Sequence, residues 1–201
     1  MTSLVVFNQD DIVRVSTRIS HEIIERNSGS RNIILIGVRR RGALLANRLK
    51  KIIKTIDGIS VPVYSLDITN ARDDLTKEET HNHLINETVT GISISNEEEL
   101  GIYPQDIMTV PIIDFTNFNV IIVDDVLYTG RTIRAAMDAL LSFGRPTRIE
   151  LLVLIDRRFN RELPIQPDFI GKSIDTIENI NVEVNWAKNN DEENEVIFVH
   201  E

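Results

Sequence analysis

Apolar residues along this chain alternate between two periods. Ile12, Val15, Ile19 and Ile23 recur at helical spacing behind Asp10 and Asp11, which predicts a first helix capped by those acids and ending near Ser28-Gly29-Ser30. Ile33 to Val38 is an unbroken apolar run, the pattern of a strand buried on both faces. Gly42 to Ile56 returns to the helical period, with Leu44, Leu45, Leu49, Ile52 and Ile53 expected inward and Arg48, Lys50, Lys51 and Lys54 largely outward. Val61 to Ile68 predicts another strand, and Val120 to Val123 a further buried one. Ile133, Met137, Leu140 and Leu141 then mark a helix, and Ile149 to Ile155 a last strand of this series. The order α-β-α-β-loop-β-α-β predicts an α/β protein with a mostly parallel central sheet and right-handed crossovers.

Two regions break the alternation. Residues 70–119 are polar and acidic, with Glu78-Glu79 and Glu97-Glu98-Glu99 and only short apolar snatches such as Ile92 to Ile94. A connection of that length in a compact domain is expected to be a functional flap or a disordered segment. After Ile155, Pro164 and Pro167 precede two strand-like runs, Asn181 to Ala187 and Glu195 to His200, which predict a small antiparallel subdomain closed by a hairpin.

At 201 residues with 42% hydrophobic content, the chain can bury one core, and residues 1–201 are read as a single domain. The absence of cysteine excludes disulfides and thiolate zinc sites. No apolar run reaches the roughly 18 residues of a membrane span, and the first residues lack a signal-peptide pattern, so a soluble cytoplasmic protein is expected. A net charge of −9 argues against broad nucleic-acid affinity, but the charge is unevenly spread. Residues 1–54 hold 11 Lys or Arg against 4 Asp or Glu, a net of +7; the remainder hold 11 against 27, a net of −16. The basic share, on the first helix and at Arg39 to Arg41, marks either an anion-binding face or ordinary solvated helices.

The chemistry concentrates in Val-Ile-Ile-Val-Asp-Asp-Val-Leu-Tyr-Thr-Gly-Arg-Thr, residues 120–132. A buried strand delivers Asp124 and Asp125 to its carboxyl edge, where open α/β sheets bind ligands. Paired carboxylates accept hydrogen bonds from sugar hydroxyls, and the amides of a Thr129-Gly130-Arg131-Thr132 turn entering a helix can cradle a phosphate. An acidic strand end also suits a Walker B strand or a receiver-domain pocket. A Walker B strand needs a G-x-x-x-x-G-K-[ST] loop, and the chain has none. His81 and His83 sit in the polar connection without a second ligand cluster, and no metal site is assigned to them.

This segment resembles the phosphoribosyl pyrophosphate (PRPP) motif of type I phosphoribosyltransferases. Its Val-Leu-Tyr-Thr-Gly-Arg-Thr wording is similar to the PyrR family of bifunctional pyrimidine operon regulators and uracil phosphoribosyltransferases. Thr17 to Asn27, Asp67-Ile68-Thr69, Arg72-Asp73-Asp74-Leu75, Gly144-Arg145-Pro146 and Arg161-Glu162-Leu163-Pro164-Ile165 extend the likeness. It covers most of the chain, except residues about 76–118 and the last fifteen or so. The resemblance implies the type I phosphoribosyltransferase fold, with a long flexible loop at about 72–118 and a small hood at about 156–201 over the base pocket.

It also implies roles. Asp124 and Asp125 would hold the ribose hydroxyls, and Val123 to Thr132, including Val126, Leu127 and Tyr128, would line the PRPP site. Arg40, Arg41 and, from the flap, Arg72 would face pyrophosphate, in a turn that in the family often contains a non-proline cis peptide. Arg40 stands where the family has a small hydroxyl residue. Mg²⁺ would arrive with PRPP. Asp156, Arg157 and Ile170 would bound the base pocket, although Asp156 to Leu163 is one residue longer than the family's segment and lacks its Gly and His.

Two function classes follow. One is an enzyme that converts uracil and PRPP to UMP and pyrophosphate. The other is an attenuation regulator with weak or no catalysis, binding pyrimidine operon leader RNA under control of UMP or UTP through Thr17, Arg18, His21, Arg26, Lys172 and Thr176. A phosphoribosyltransferase for a different base is the remaining alternative, and a homo-oligomer, dimer or larger, is implied throughout.

Overall fold

In the computed structural model the structure describes residues 3–68, 92–94, 115–141, 144–175, 180–186 and 195–200. Arg72, His81, His83, Thr176 and most of the flap expected at 72–118 lie outside the described residues.

Strand β1 (Ser3–Phe7) leads into helix α1 (Gln9–Arg26), strand β2 (Ile33–Val38) and helix α2 (Arg39–Asp57). Strands β3 (Val63–Leu66) and β4 (Ile92–Ile94) follow, then β5 (Asn119–Leu127), helix α3 (Arg131–Leu141) and β6 (Arg148–Arg157). A short 3-10 turn (Arg158–Asn160) precedes β7 (Phe169–Ile174), β8 (Ile180–Asn185) and β9 (Glu195–His200).

The main sheet runs β4-β3-β2-β5-β6-β7, parallel except where β4 pairs antiparallel with β3. The alternation of apolar residues serves both faces. Ile33 and Leu35 of β2 and Ile121 and Val123 of β5 pack with Ile12, Ile19 and Ile23 of α1 and Leu45, Leu49 and Ile53 of α2. Ile34, Ile36, Val120 and Ile122 point the other way, onto Ile133, Ala136 and Leu140 of α3 and onto Phe115. Continuous apolar runs are what a doubly covered parallel sheet requires.

Several expectations are corrected. Neither Asp10 nor Asp11 is the N-cap of α1, although Asp11 takes part in the cap from position N3. Asn8 is the N-cap: its side chain accepts from the Asp11 amide while Asp11 accepts from the Asn8 amide, a reciprocal capping box. Helix α2 begins at Arg39, three residues earlier than expected, so the three arginines form its first turn. Arg48 is not largely outward; its guanidinium lies 5.4 Å over the Trp186 ring, and burial pushes its pKa down. The hairpin β8–β9 is present, but its small sheet runs β1-β9-β8 and takes its outer strand from the N-terminus. Strand β7, by contrast, belongs to the main sheet.

Candidate active site

The strand order reverses between β2 and β5. From β2 the chain proceeds outward to β3, and from β5 in the opposite direction to β6 and β7. The carboxyl ends of two strands at such a switch point leave a crevice between the loops that follow them. Gly37 of β2 pairs with Val123 of β5, so the arginine turn opening α2 and the acid pair are brought side by side there.

Strand β5 does not stop at the apolar run. It continues through both acids because Asp124 pairs with Val153 and Val126 with Ile155 on β6. The acids are therefore held in extended backbone and are only 7% and 8% exposed. Asp124 Oδ1 accepts from the Asp125 amide at 2.9 Å, and Asp125 Oδ1 from the Val126 amide at 3.0 Å. Burial, and then the neighbouring Asp125 charge, push the Asp124 carboxyl well above its ordinary range, with Arg39 opposing the rise. Among the described residues no donor hydrogen-bonds to Asp125 Oδ2, which is buried; Arg41 Nη1 lies 3.6 Å away as its ion-pair partner.

The first turn of α2 reaches this close because of Gly42. A Cβ there would stand 2.3 Å from the Val123 carbonyl oxygen. Arg39 takes a positive φ of 54°, costly for a residue with a side chain, and its buried Nε has no acceptor among the described residues. No cis peptide occurs among the described residues. Arg40 is exposed.

Beyond the acids, Tyr128 to Gly130 turn the chain into α3. Gly130 has φ 92°, and the Thr129 hydroxyl accepts from the Arg131 amide at 3.4 Å. The first amides of a helix have no intrahelical acceptors, so the Thr129–Thr132 segment presents donors and a positive dipole end.

The residues expected around a base are heavily engaged within the chain. Asp156 is ion-paired with Arg161, Arg157 is buried with its guanidinium 4.3 Å over the Tyr128 ring, and the Ile170 carbonyl accepts from Arg18 at 2.8 Å. Arg161 was not singled out for a role from the sequence. The available signal was that Arg161-Glu162-Leu163 keeps the family wording where the residues just before it depart.

The expected RNA face is divided in the same way. Arg18 also bonds the Gly171 carbonyl and pairs with Glu22. Arg26 pairs with the fully buried Glu150 at 2.8 Å and with Asp168 at 2.7 Å, and lies over the Phe169 ring. The Thr17 hydroxyl donates to the Val13 carbonyl, and Lys172 sits 5.5 Å from the Phe7 ring. His21 is exposed. At the opposite, amino edge of the sheet a polar cavity of about 510 Å³ is lined by Ser28, Arg31, Asp57 and Asn119 among others, and none of the acid-pair residues borders it.

Comparison with known proteins bears on this geometry. Residues 6–189 match the phosphoribosyl transferase domain. The chain is 48% identical over 174 residues to the bifunctional protein PyrR of Halalkalibacterium halodurans, covering 87% of this chain and 85% of that protein. It is 42% identical over 195 residues to the bifunctional protein PyrR of Leuconostoc mesenteroides, covering 97% of each. Among solved structures, the hypoxanthine phosphoribosyltransferase of Trypanosoma cruzi superposes with a TM-score of 0.62 at 14% identity, over 98% of this chain and 95% of that one. That of Staphylococcus aureus gives 0.58 at 18% identity, over 85% and 77%. At these identities the structural likeness establishes the fold, the type I phosphoribosyltransferase fold.

Proposed function

The chain belongs to the PyrR family and is a phosphoribosyltransferase, and on that premise we propose that it converts uracil and PRPP to UMP and pyrophosphate at the crevice between β2 and β5. The observation that carries this reading is the buried pair Asp124–Asp125, facing Arg41 on one side and the Tyr128–Thr132 turn on the other.

In this reading the ribose hydroxyls donate to the two carboxylates. Asp125 Oδ2, which has no hydrogen-bond donor among the described residues, accepts one of them. The 5′-phosphate sits on the amides and hydroxyls of residues 129–132. The pyrophosphate lies over the first turn of α2, beside Arg41 and Arg39, with Arg40 at the rim; the sequence offers Arg72 as a further cation for it. As the C1–pyrophosphate bond breaks, positive charge grows on the ribose. That charge draws Asp124 into its ionised form, and the pair then stabilises it because burial leaves little water to screen them. A base nitrogen then bonds to C1 and gives up its proton, which leaves with the pyrophosphate or to solvent. Two carboxylates are hard oxygen donors, so the pair suits a cation delivered with the substrate. Mg²⁺ carried by PRPP would supply neutralising charge to the leaving pyrophosphate.

The pocket of the base is bounded by the segment from Asp156 to Asn160 and by Ile170. Asp156 Oδ1 and the Ile170 carbonyl each take a partner within the chain, and the further lone pairs of these groups, with the neighbouring backbone, meet the pyrimidine edge. Incubation of labelled PRPP and Mg²⁺ with a panel of bases tests the proposal. UMP formed from uracil in preference to purines and orotate is the expected result. Turnover of another base with uracil inert refutes the assignment of the acceptor.

A second activity, binding of pyrimidine leader RNA under UMP or UTP control, accompanies the first. It is favoured by the word bifunctional in the relatives' name and by the exposure of His21 and Lys172 on neighbouring elements. Arg18 and Arg26 hold the fold together at that face, so any contribution they make to RNA is shared with intrachain partners. Thr17 belongs to the same candidate face. Filter binding of the leader transcript with and without UMP tests it. We also propose a homo-oligomer, dimer or larger, to be measured by light scattering.

A further inference from the structure

The segment that follows β6 is fastened to the turn that follows β5, and Arg161 is the fastening. Its Nη2 pairs with Asp156 at the end of β6, while its Nη1 donates to the Tyr128 carbonyl at 2.8 Å. The guanidinium and the Asp156 carboxylate are largely buried, with side-chain exposures of 16% and 6%. Next to it the Glu162 and Leu163 amides both donate to the Thr129 carbonyl, at 3.1 and 3.2 Å, and Glu162 pairs with Arg131 at 2.7 Å. Leu163 and Ile165 close over Gly130, near enough that a Cβ added there would meet them at 3.3–3.4 Å.

All of these contacts converge on residues 128–131. The apolar residues that anchor β5 and β6 in the sheet lie on other positions, so the fastening governs the shape of the turn rather than the integrity of the core. A planar guanidinium aims its donors at two acceptors in a fixed fork, whereas an ammonium is a point charge with rotatable donors on a flexible stem.

We propose that Arg161 is a positioning residue for phosphoribosyl transfer: by tying Asp156 to the Tyr128 carbonyl it holds the phosphate-side turn in register with the base-side loop. The inference rests on the transfer reading above. It also gives Asp156 a duty besides contact with the base, because its Oδ1 is held by Arg161.

The test is PRPP affinity, measured by calorimetry with Mg²⁺ and as KM, in wild type, Arg161→Gln, Arg161→Lys and Asp156→Asn. Arg161→Gln is expected to weaken PRPP binding about tenfold or more, equivalent to about 1.4 kcal/mol. KM for uracil at saturating PRPP should stay within about twofold. Asp156→Asn should lose PRPP affinity to a similar extent, and the double variant should add little to that loss, as for residues acting as one unit. Arg161→Lys keeps the charge but only one of the two directed bonds, and is expected to lose PRPP affinity by about threefold to tenfold. It carries the test should Arg161→Gln fail to fold. Exogenous guanidinium should partly restore PRPP binding to Arg161→Ala. Folded variants that bind PRPP within twofold of a competent wild type overturn this inference alone. A wild type that binds no PRPP removes the transfer reading and this inference together.

Discussion

Replacing Asp124 with Asn should make the protein more stable, by an amount that depends on pH. Asp124 is buried beside a second carboxylate, and both burial and that neighbour favour its protonated form in the folded state. A carboxyl whose folded pKa lies above its unfolded value of about 3.8 binds its proton more tightly when folded. Its stabilising contribution is therefore complete below the unfolded pKa. It is lost as pH rises from there through the folded pKa, and above that the ionised group only costs stability. Asn retains the oxygen that accepts the Asp125 amide and removes the charge, so little is lost in exchange. Relieving one unfavourable buried charge is worth about 1–2 kcal/mol, at the low end of measured replacements of buried ionic groups. For a chain of this length that corresponds to a rise in Tm of roughly 2–8 °C. Thermal melts of wild type and Asp124→Asn between pH 4 and pH 8 measure it. The gain should be near zero at the acid end and grow with pH. A variant less stable than wild type at neutral pH, or a gain independent of pH, would refute the argument from burial and repulsion.

Gly42→Ala forces a Cβ to within 2.3 Å of the Val123 oxygen, so α2 must retreat from β5; a loss of about 1–3 kcal/mol in urea melts and a raised KM for PRPP are expected. Arg26→Ala leaves the buried Glu150, among the described residues, with Arg148 at 3.4 Å as its remaining cation, and should cost about 2–3 kcal/mol; Glu150→Gln in that background should recover part of it. A melt unchanged by Arg26→Ala would show that the side chain is free for other partners. His21→Ala with Lys172→Ala should leave the melt and uracil transfer unchanged while weakening leader-RNA binding and lowering its salt slope by about one unit per lost phosphate contact, as read by filter binding over a salt series.

The central sheet was legible because its strands are buried on both faces. Ile33 to Val38, Val120 to Val123 and Ile149 to Ile155 each announce themselves without reference to the rest of the chain. The reach of β5 through Asp124 and Asp125 was not, since it depends on pairing with Val153 and Ile155, partners some thirty residues away. Strand β1 was missed for the same reason: Ser3–Phe7 is a strand because β9 lies beside it, and Leu4 and Val5 remain exposed. The acid pair and the phosphate turn could be read from local chemistry. The duties of Arg18, Arg26 and Arg161 could not, because a basic residue on a helix or loop looks the same whether it faces solvent, RNA, Glu150 or Asp156.

The account stands or falls on the acid pair. Steady-state formation of UMP from uracil and Mg-PRPP, by Asp124→Asn/Asp125→Asn beside wild type, tests it most directly. With two charge-assisted hydrogen bonds of about 1.5–3 kcal/mol each removed, turnover should fall by roughly two to four orders of magnitude while the far-ultraviolet circular dichroism stays native. Near wild-type turnover in the folded double variant would contradict the account, and the site of transfer would have to be sought elsewhere on the molecule.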